Sequence, residues 1–298
     1  MKSIARPSLP EFGTKAELFA HLRENVKSII AQKKAFPTTS DDLDFGYSLK
    51  TEALTFVGKS NIKKANEEEE QDLSTLSELS VDVIGNLAGW CDSYMDVMIK
   101  DNWKKSISDA GASGEKLVYH LKDHIYTTSA IVGKDVSLYV KDIDLSRFNI
   151  TTDLKKAQAL MMSSTVVKEY DSKTFMLYRD KQVKQHSIGL QYVKIYLCVN
   201  SEEPEDSQYK DNWEKYYPQV INKDLVDKRG YFWAVTEAKI LEVSAVLFGA
   251  NELTPVESMS SSKNTTTEPA ATTQQEPLNE GKDDNAIRWE KMADSILN

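Results

Sequence analysis

The sequence predicts an α+β fold in which a mostly antiparallel, barrel-like sheet carries helices on its outside. Segments rich in Val, Ile, Leu, Tyr and Phe recur along the chain, as is typical of strands. They are not joined by the regular strand–helix repeats of a doubly wound parallel sheet, which favours antiparallel pairing. The predicted strands cover residues 81–89, 116–121, 130–140, 186–199 and 230–248.

Helices are predicted where apolar residues recur at intervals of three and four positions. The clearest case is residues 14–34, which begin with Thr14 and Glu17 in the spacing of a capping box and are followed by Pro37. Further helices are predicted over residues 102–108, 152–169 and 211–217.

Shifts in composition divide the chain into a core domain with appendages. Residues 1–80 are predicted to be a helix followed by a polar linker, and residues 81–256 are predicted to be the core domain. The segment 200–229, which is rich in acidic residues and contains Tyr and Trp, is predicted to be an insertion outside that core. Residues 257–284 contain no aromatic residue and consist largely of Ser, Thr, Glu, Gln and Asn, so we expect disorder. A short docking helix is predicted over 285–298, where helical spacing returns.

Charge and hydropathy exclude several classes of protein. The net charge of −9 argues against a general nucleic-acid binder. No run reaches the roughly 18 apolar residues of a membrane helix, and residues 1–7 lack the hydrophobic core of a secretory signal. Cys91 and Cys198 lie in apolar or aromatic stretches, where buried free thiols are expected. We therefore expect a cytoplasmic protein with neither a membrane nor a nucleic-acid partner.

The sequence offers no pattern for a metal or a nucleotide, so no cofactor is expected. The four histidines lack the spacing of a zinc site, and the glycines are scattered singly rather than grouped in a phosphate loop. Nucleophilic catalysis remains, in which a serine needs an imidazole base and a third group that orients it. Spacing alone does not select these residues from the many candidates.

Four short motifs add information because of their order along the chain. They are GWCDSYMDVM at 89–98, LVYHLKDH at 117–124 followed by IVG at 131–133, SIGL at 187–190, and ILEVSAVLFGAN at 240–251. Between about residues 81 and 255, this order resembles that of the prohead maturation proteases of tailed phages, which are distant relatives of herpesvirus assemblin. The SIGL segment resembles the strand that carries the nucleophile in that family.

The resemblance implies an assemblin-like fold and a set of site residues. Ser187 corresponds to the nucleophile, His124 to its base and Glu242 to the third member of the triad. The loop that follows the Glu242 strand is the candidate for the oxyanion hole; its residues are Phe248, Gly249, Ala250 and Asn251. The chain departs from the family in having Gly249 where Pro is common, and in longer loops after His124 and after Val199.

Alternatives remain for two of these positions. His186 adjoins Ser187, but successive strand residues point to opposite faces, so the two side chains should not meet. His120 and His124 are four residues apart, and strand alternation does not choose between them; the IVG segment that follows favours His124. Without the resemblance, a structural salt bridge explains Glu242 equally well.

The function implied by the resemblance is a serine endopeptidase of capsid maturation. Such an enzyme cleaves extensions of the major capsid protein and the scaffold inside the procapsid, in the host cytoplasm, and a homo-oligomer is expected by analogy. The tripeptide Leu278-Asn279-Glu280 is similar to family cleavage sites, which suggests self-cleavage after Glu280. The rival interpretation is a non-catalytic capsid-assembly or scaffold protein that retains the fold.

Overall fold

A computed structural model describes residues 12–35, 76–110 and 118–261. These residues form an α+β unit, as predicted, with an eight-stranded mixed sheet and flanking helices. The strands are β1 (Glu78–Leu87), β2 (Asp96–Met98), β3 (Tyr119–Lys122), β4 (Ile131–Asp144), β5 (Lys156–Val167), β6 (Gln185–Val199), β7 (Tyr231–Val246) and β8 (Val256–Ser261). The helices are α1 (Lys15–Ala35), α2 (Lys104–Ala110), α3 (Ser172–Arg179), α4 (Ser207–Tyr216) and α5 (Lys223–Arg229).

The sheet is mostly antiparallel but is not closed into a barrel, so the predicted barrel-like core is wrong in that respect. Its order is β2-β7-β3-β4-β5-β1-β8, with β6 paired to β7. Within the described residues, β2 and β3 run parallel to β7 and the other pairs are antiparallel. The backbone of Thr254 and Pro255 links β6 to β1, because it accepts hydrogen bonds from His186 N and Ile84 N, each 3.0 Å long.

The predicted helix over residues 152–169 is wrong, because this segment is strand β5. Its apolar residues fit a helical stripe, but β5 lies between β1 and β4 and is buried on both faces along much of its length. A strand buried in this way shows no clean alternation, so periodicity misleads there. The helix of this region is α3, which begins after Asp171; the Asp171 carboxylate accepts a hydrogen bond from Thr174 N at 2.8 Å.

The segment predicted to be an insertion outside the core contributes to the core. Residues 200–229 contain α4 and α5, and Tyr209, Trp213 and Val226 are buried there. The Trp213 ring packs against Phe232 of β7 with ring centroids 5.3 Å apart. Aromatic residues at helical spacing thus bury one face of an otherwise acidic segment.

Helix α1 is fixed to the sheet by a buried ion pair. Lys33 is fully buried and its Nζ lies 2.7 Å from Asp96 Oδ1. The Tyr192 hydroxyl donates to the other oxygen of that carboxylate, and Lys33 Nζ also lies 5.6 Å from the centre of the Trp233 ring. Because a buried carboxylate without its partner is costly, Lys33 ties α1 to β2, β6 and β7.

Beside this pair, the surroundings of Asp92 favour the protonated form of its carboxyl group. Its Oδ1 accepts hydrogen bonds from Tyr94 N and Asp96 N, each 2.9 Å long. Burial and the neighbouring Asp96 carboxylate raise the pKa of Asp92 to about 8. The folded state therefore holds a proton that the unfolded chain releases near pH 4.

We predict that Asp92→Asn gains stability relative to the wild type as the pH rises from 4 to 8. The contribution of the protonated carboxyl is complete below its unfolded pKa and is lost as the pH rises through the folded one. Asn cannot ionise and can still accept both amide bonds. Urea denaturation should show the difference in unfolding free energy growing by about 1 kcal/mol per pH unit; a difference that does not vary with pH would contradict this account.

Several predicted segments lie partly or wholly outside the described residues. These are most of the polar linker before residue 76, the tail after residue 261 and the helix at 285–298. The predicted disorder from 257 onwards is wrong at its start, because residues 256–261 form β8 and pair with β1. Cys91 and Cys198 are free and buried, as predicted, and burial raises the pKa of both thiols. Among the described helices, none has the length and apolarity to span a membrane.

Candidate active site

Ser187 lies on β6 directly opposite Ser244 of β7, and Gly189 lies opposite Glu242. Paired residues of neighbouring strands share a face, and so do residues two apart on one strand. These four positions therefore face the same side of the sheet. Glu242 is completely buried, and Ser187 is 5% exposed.

His124 reaches this face because strand β3 ends two residues before it. β3 runs parallel to β7, with His120 opposite Val243 and Lys122 opposite Ala245. Asp123 and His124 then both adopt φ 53°, a left-handed conformation that non-glycine residues adopt at an energetic cost. The turn is held by Asp123 N, which donates to Ala245 O at 3.0 Å, and by His124 N, which donates to Ser244 Oγ at 3.2 Å.

The turn places the His124 imidazole within hydrogen-bonding distance of the Glu242 carboxylate. His124 Nδ1 lies 2.6 Å from Glu242 Oε1, and Ser244 Oγ donates to Glu242 Oε2, also at 2.6 Å. An ionised carboxylate can only accept, so the proton of this bond is on His124 Nδ1. Ser187 lies across from Ser244, the residue that bonds to both His124 and Glu242.

The alternative histidines belong to a separate network on the opposite face. His120 Nε2 lies 2.8 Å from the Tyr178 hydroxyl oxygen, which is 2.7 Å from His186 Nε2. His186 Nδ1 lies 3.2 Å from Thr254 O, and His120 Nδ1 lies 3.0 Å from Ser164 Oγ. The expectation that His186 and Ser187 point apart is therefore confirmed, and His120 lies on the side of His186.

The available donors and acceptors fix the direction of the hydrogen bonds that run from His120 through Tyr178 to His186. The carbonyl of Thr254 only accepts, so His186 Nδ1 carries a proton and His186 Nε2 accepts from the Tyr178 hydroxyl. The Tyr178 oxygen then accepts from His120 Nε2. Burial lowers the pKa of His120 to about 3 and that of His186 to about 4, so both rings are neutral at pH 7. The ring nitrogens of His120 and His186 therefore already have hydrogen-bond partners in this buried network.

We predict that Tyr178→Phe destabilises the protein without changing the chemistry at Ser187. The substitution leaves two buried imidazole nitrogens without their partner, which costs about 2–4 kcal/mol. Urea denaturation at pH 7 measures the loss. The site face is untouched, so the reactivity of Ser187 in the folded protein should stay within about twofold of the wild type; a large loss of reactivity would show that the two faces are coupled.

The loop proposed for the oxyanion hole lies beyond the end of β7. Gly249 N donates to Gln185 Oε1 at 2.8 Å, and Asn251 Nδ2 donates to Leu87 O at 3.1 Å. Phe248 is 80% exposed, and Ala250 is half-buried. The loop is therefore adjacent to Gln185, just before Ser187 on β6, whereas Glu242 lies opposite Gly189, just after Ser187. The Gly249 amide already has an acceptor. Its role in binding an oxyanion stays a prediction.

Sequence reasoning missed Ser244. The signal was present, since Ser244 lies two residues after Glu242 on a strand and so shares its face. Within the described ranges, no cluster of three or more His, Cys, Asp or Glu residues is placed to hold a metal ion.

Comparisons with family models, with curated proteins and with solved structures give no match. The chemistry of the site is therefore argued from the geometry of this chain. A hydrogen-bonded carboxylate and imidazole beside a serine, on one face of two paired strands, can withdraw a proton from that serine and stabilise the resulting imidazolium.

Proposed function

We propose that this protein is a serine hydrolase that cleaves peptide bonds, with Ser187 as nucleophile, His124 as base and Glu242 as the orienting acid. The observation that carries the proposal is the 2.6 Å bond between His124 Nδ1 and Glu242 Oε1, on the same face of the β6–β7 pair as Ser187. The strained turn at Asp123 and His124 adds support, because such backbone persists where a side chain must be aimed.

In the proposed reaction, Ser187 Oγ attacks the carbonyl carbon of the scissile bond and its proton passes to His124 Nε2. Glu242 keeps the imidazole in the required tautomer and stabilises its cationic form. His124 then gives the proton to the leaving amine as the C–N bond breaks, which leaves an ester on Ser187. Water activated by the same imidazole hydrolyses that ester and restores the hydroxyl.

The finer proposal is a prohead maturation protease with an assemblin-like fold. It rests on the order of the motifs at 89–98, 117–124, 187–190 and 240–251. On this proposal the substrates are extensions of the major capsid protein and the scaffold, cut inside the procapsid in the host cytoplasm by a homo-oligomer. Cleavage of the chain after Glu280 is part of the same proposal.

We predict that a small alkyl fluorophosphonate labels Ser187 and no other serine. Ser187 Oγ forms a bond to phosphorus, fluoride leaves, and the serine proton passes to His124. Mass spectrometry of the digested protein locates the adduct. Labelling should be lost in Ser187→Ala, fall by about 10²- to 10⁴-fold in Glu242→Gln, and be unchanged in the exposed control Ser260→Ala. An unlabelled wild type, or an adduct at another serine, would refute the hydrolase.

Proteolysis itself requires a substrate. Coexpression with the capsid protein and the scaffold that accompany this protein should yield shortened products with the wild type and none with Ser187→Ala, and end sequencing of the products gives the cleavage junctions. Self-cleavage predicts a chain that ends at Glu280 in the wild type only. If Ser187 is labelled but these proteins stay intact, the hydrolase stands and the proposed substrates are wrong.

One observation favours the non-catalytic scaffold as the second candidate. Ser187 is 5% exposed and His124 is 7% exposed, which is little for groups that must contact a polypeptide. A non-catalytic protein would retain the buried polar bonds for stability alone. The labelling experiment separates the two candidates, because a serine that is only structural does not react.

A further inference from the structure

Tyr126 is a partly exposed residue close to the candidate site. It lies in the segment after His124, within a tight turn in which Thr127 N donates to Ile125 O at 2.8 Å. Half of the Tyr126 residue is exposed, at 51%, whereas Glu242 is completely buried. Part of Tyr126 therefore lies at the surface, whereas the candidate acid does not.

The Tyr126 hydroxyl and the Glu242 carboxylate both lie close to Gly189. A Cβ added at Gly189 would overlap Glu242 Oε1 and would lie 2.5 Å from the Tyr126 hydroxyl oxygen. The two oxygens thus converge on the space that this glycine leaves open. Any larger residue at position 189 would have to displace one or both of them.

We infer that Tyr126 is a positioning residue of the proposed hydrolytic site, whose hydroxyl donates to the Glu242 carboxylate through the space left by Gly189. The inference rests on the proposed function. A phenol O–H can donate to a carboxylate, and the hydrogen bond is shorter and stronger when the acceptor is charged. Together with Ser244 Oγ on Oε2 and His124 Nδ1 on Oε1, it fixes the carboxylate from a third direction.

Two consequences follow for the residues involved. The glycine of the SIGL segment is required by contact with Glu242 and Tyr126, because no positive φ or turn demands a glycine there. The complete burial of Glu242 in turn strengthens the hydrogen bonds that its carboxylate accepts.

The test compares Tyr126→Phe and Gly189→Ala with the control Tyr196→Phe, another partly exposed tyrosine, located nine residues beyond Ser187 on β6. Three quantities are measured: the rate of fluorophosphonate labelling at Ser187, the NMR resonance of the His124 Nδ1 proton, and the melting temperature. Because Phe keeps the ring and removes only the hydroxyl, Tyr126→Phe isolates the hydrogen bond.

We expect Tyr126→Phe to slow labelling by about three- to tenfold and to shift the His124 proton resonance, with little change in melting temperature. Gly189→Ala should slow labelling by more than about tenfold, and Tyr196→Phe should change neither the labelling rate nor the His124 resonance. If Tyr126→Phe labels at the wild-type rate or faster, with the resonance unmoved, the inference is overturned. An unlabelled wild type would instead refute the proposed function, and the resonance would still report on Tyr126.

Discussion

The long antiparallel pairing of β6 with β7 is the constraint on which the rest of the site depends. It fixes the register that sets Ser187 opposite Ser244 and Gly189 opposite Glu242. A slip of one residue would turn every side chain of β6 to the other face, exchanging Ser187 with His186. The register is protected by burial, since β7 is among the most buried strands and β6 is buried on both faces around Ser187.

This register sorts the polar residues of the site into two groups. On one face, Glu242, Ser244 and His124 bond to one another beside Ser187; on the other, Tyr178 joins His120 to His186. Most polar side-chain atoms of the two networks have hydrogen-bond partners, which allows several polar side chains to be buried in one small region. The proposed chemistry needs a base on the face of Ser187, and the ring nitrogens of His120 and His186 have their hydrogen-bond partners on the other face.

Much of the fold could be predicted from the sequence, and the failures have physical causes. Strands β1, β3, β4, β6 and β7 and helix α1 follow from apolar pattern and capping residues. β5 could not be told from a helix by periodicity, because a strand covered on both faces shows no alternation. The packing of residues 200–229 was missed because an acidic composition concealed one aromatic face.

The candidate site was predictable only in part. Strand alternation excluded His186, but it could not separate His120 from His124, because the two left-handed residues at Asp123 and His124 leave no mark in the residue types. Ser244 follows from position once Glu242 is chosen. The contact of Tyr126 with Gly189 depends on tertiary structure and could not be read from sequence spacing.

The two faces of the sheet are proposed to have different roles, with the reactive residues on one face only. Removing the histidine of each face in turn tests this most directly. The measurement is the fluorophosphonate labelling rate of the folded protein together with its unfolding free energy, in His124→Gln and in His120→Gln. The account predicts that His124→Gln loses labelling by about 10³-fold or more, whereas His120→Gln loses stability and labels at close to the wild-type rate. Labelling that survives in His124→Gln and is lost in folded His120→Gln would contradict it.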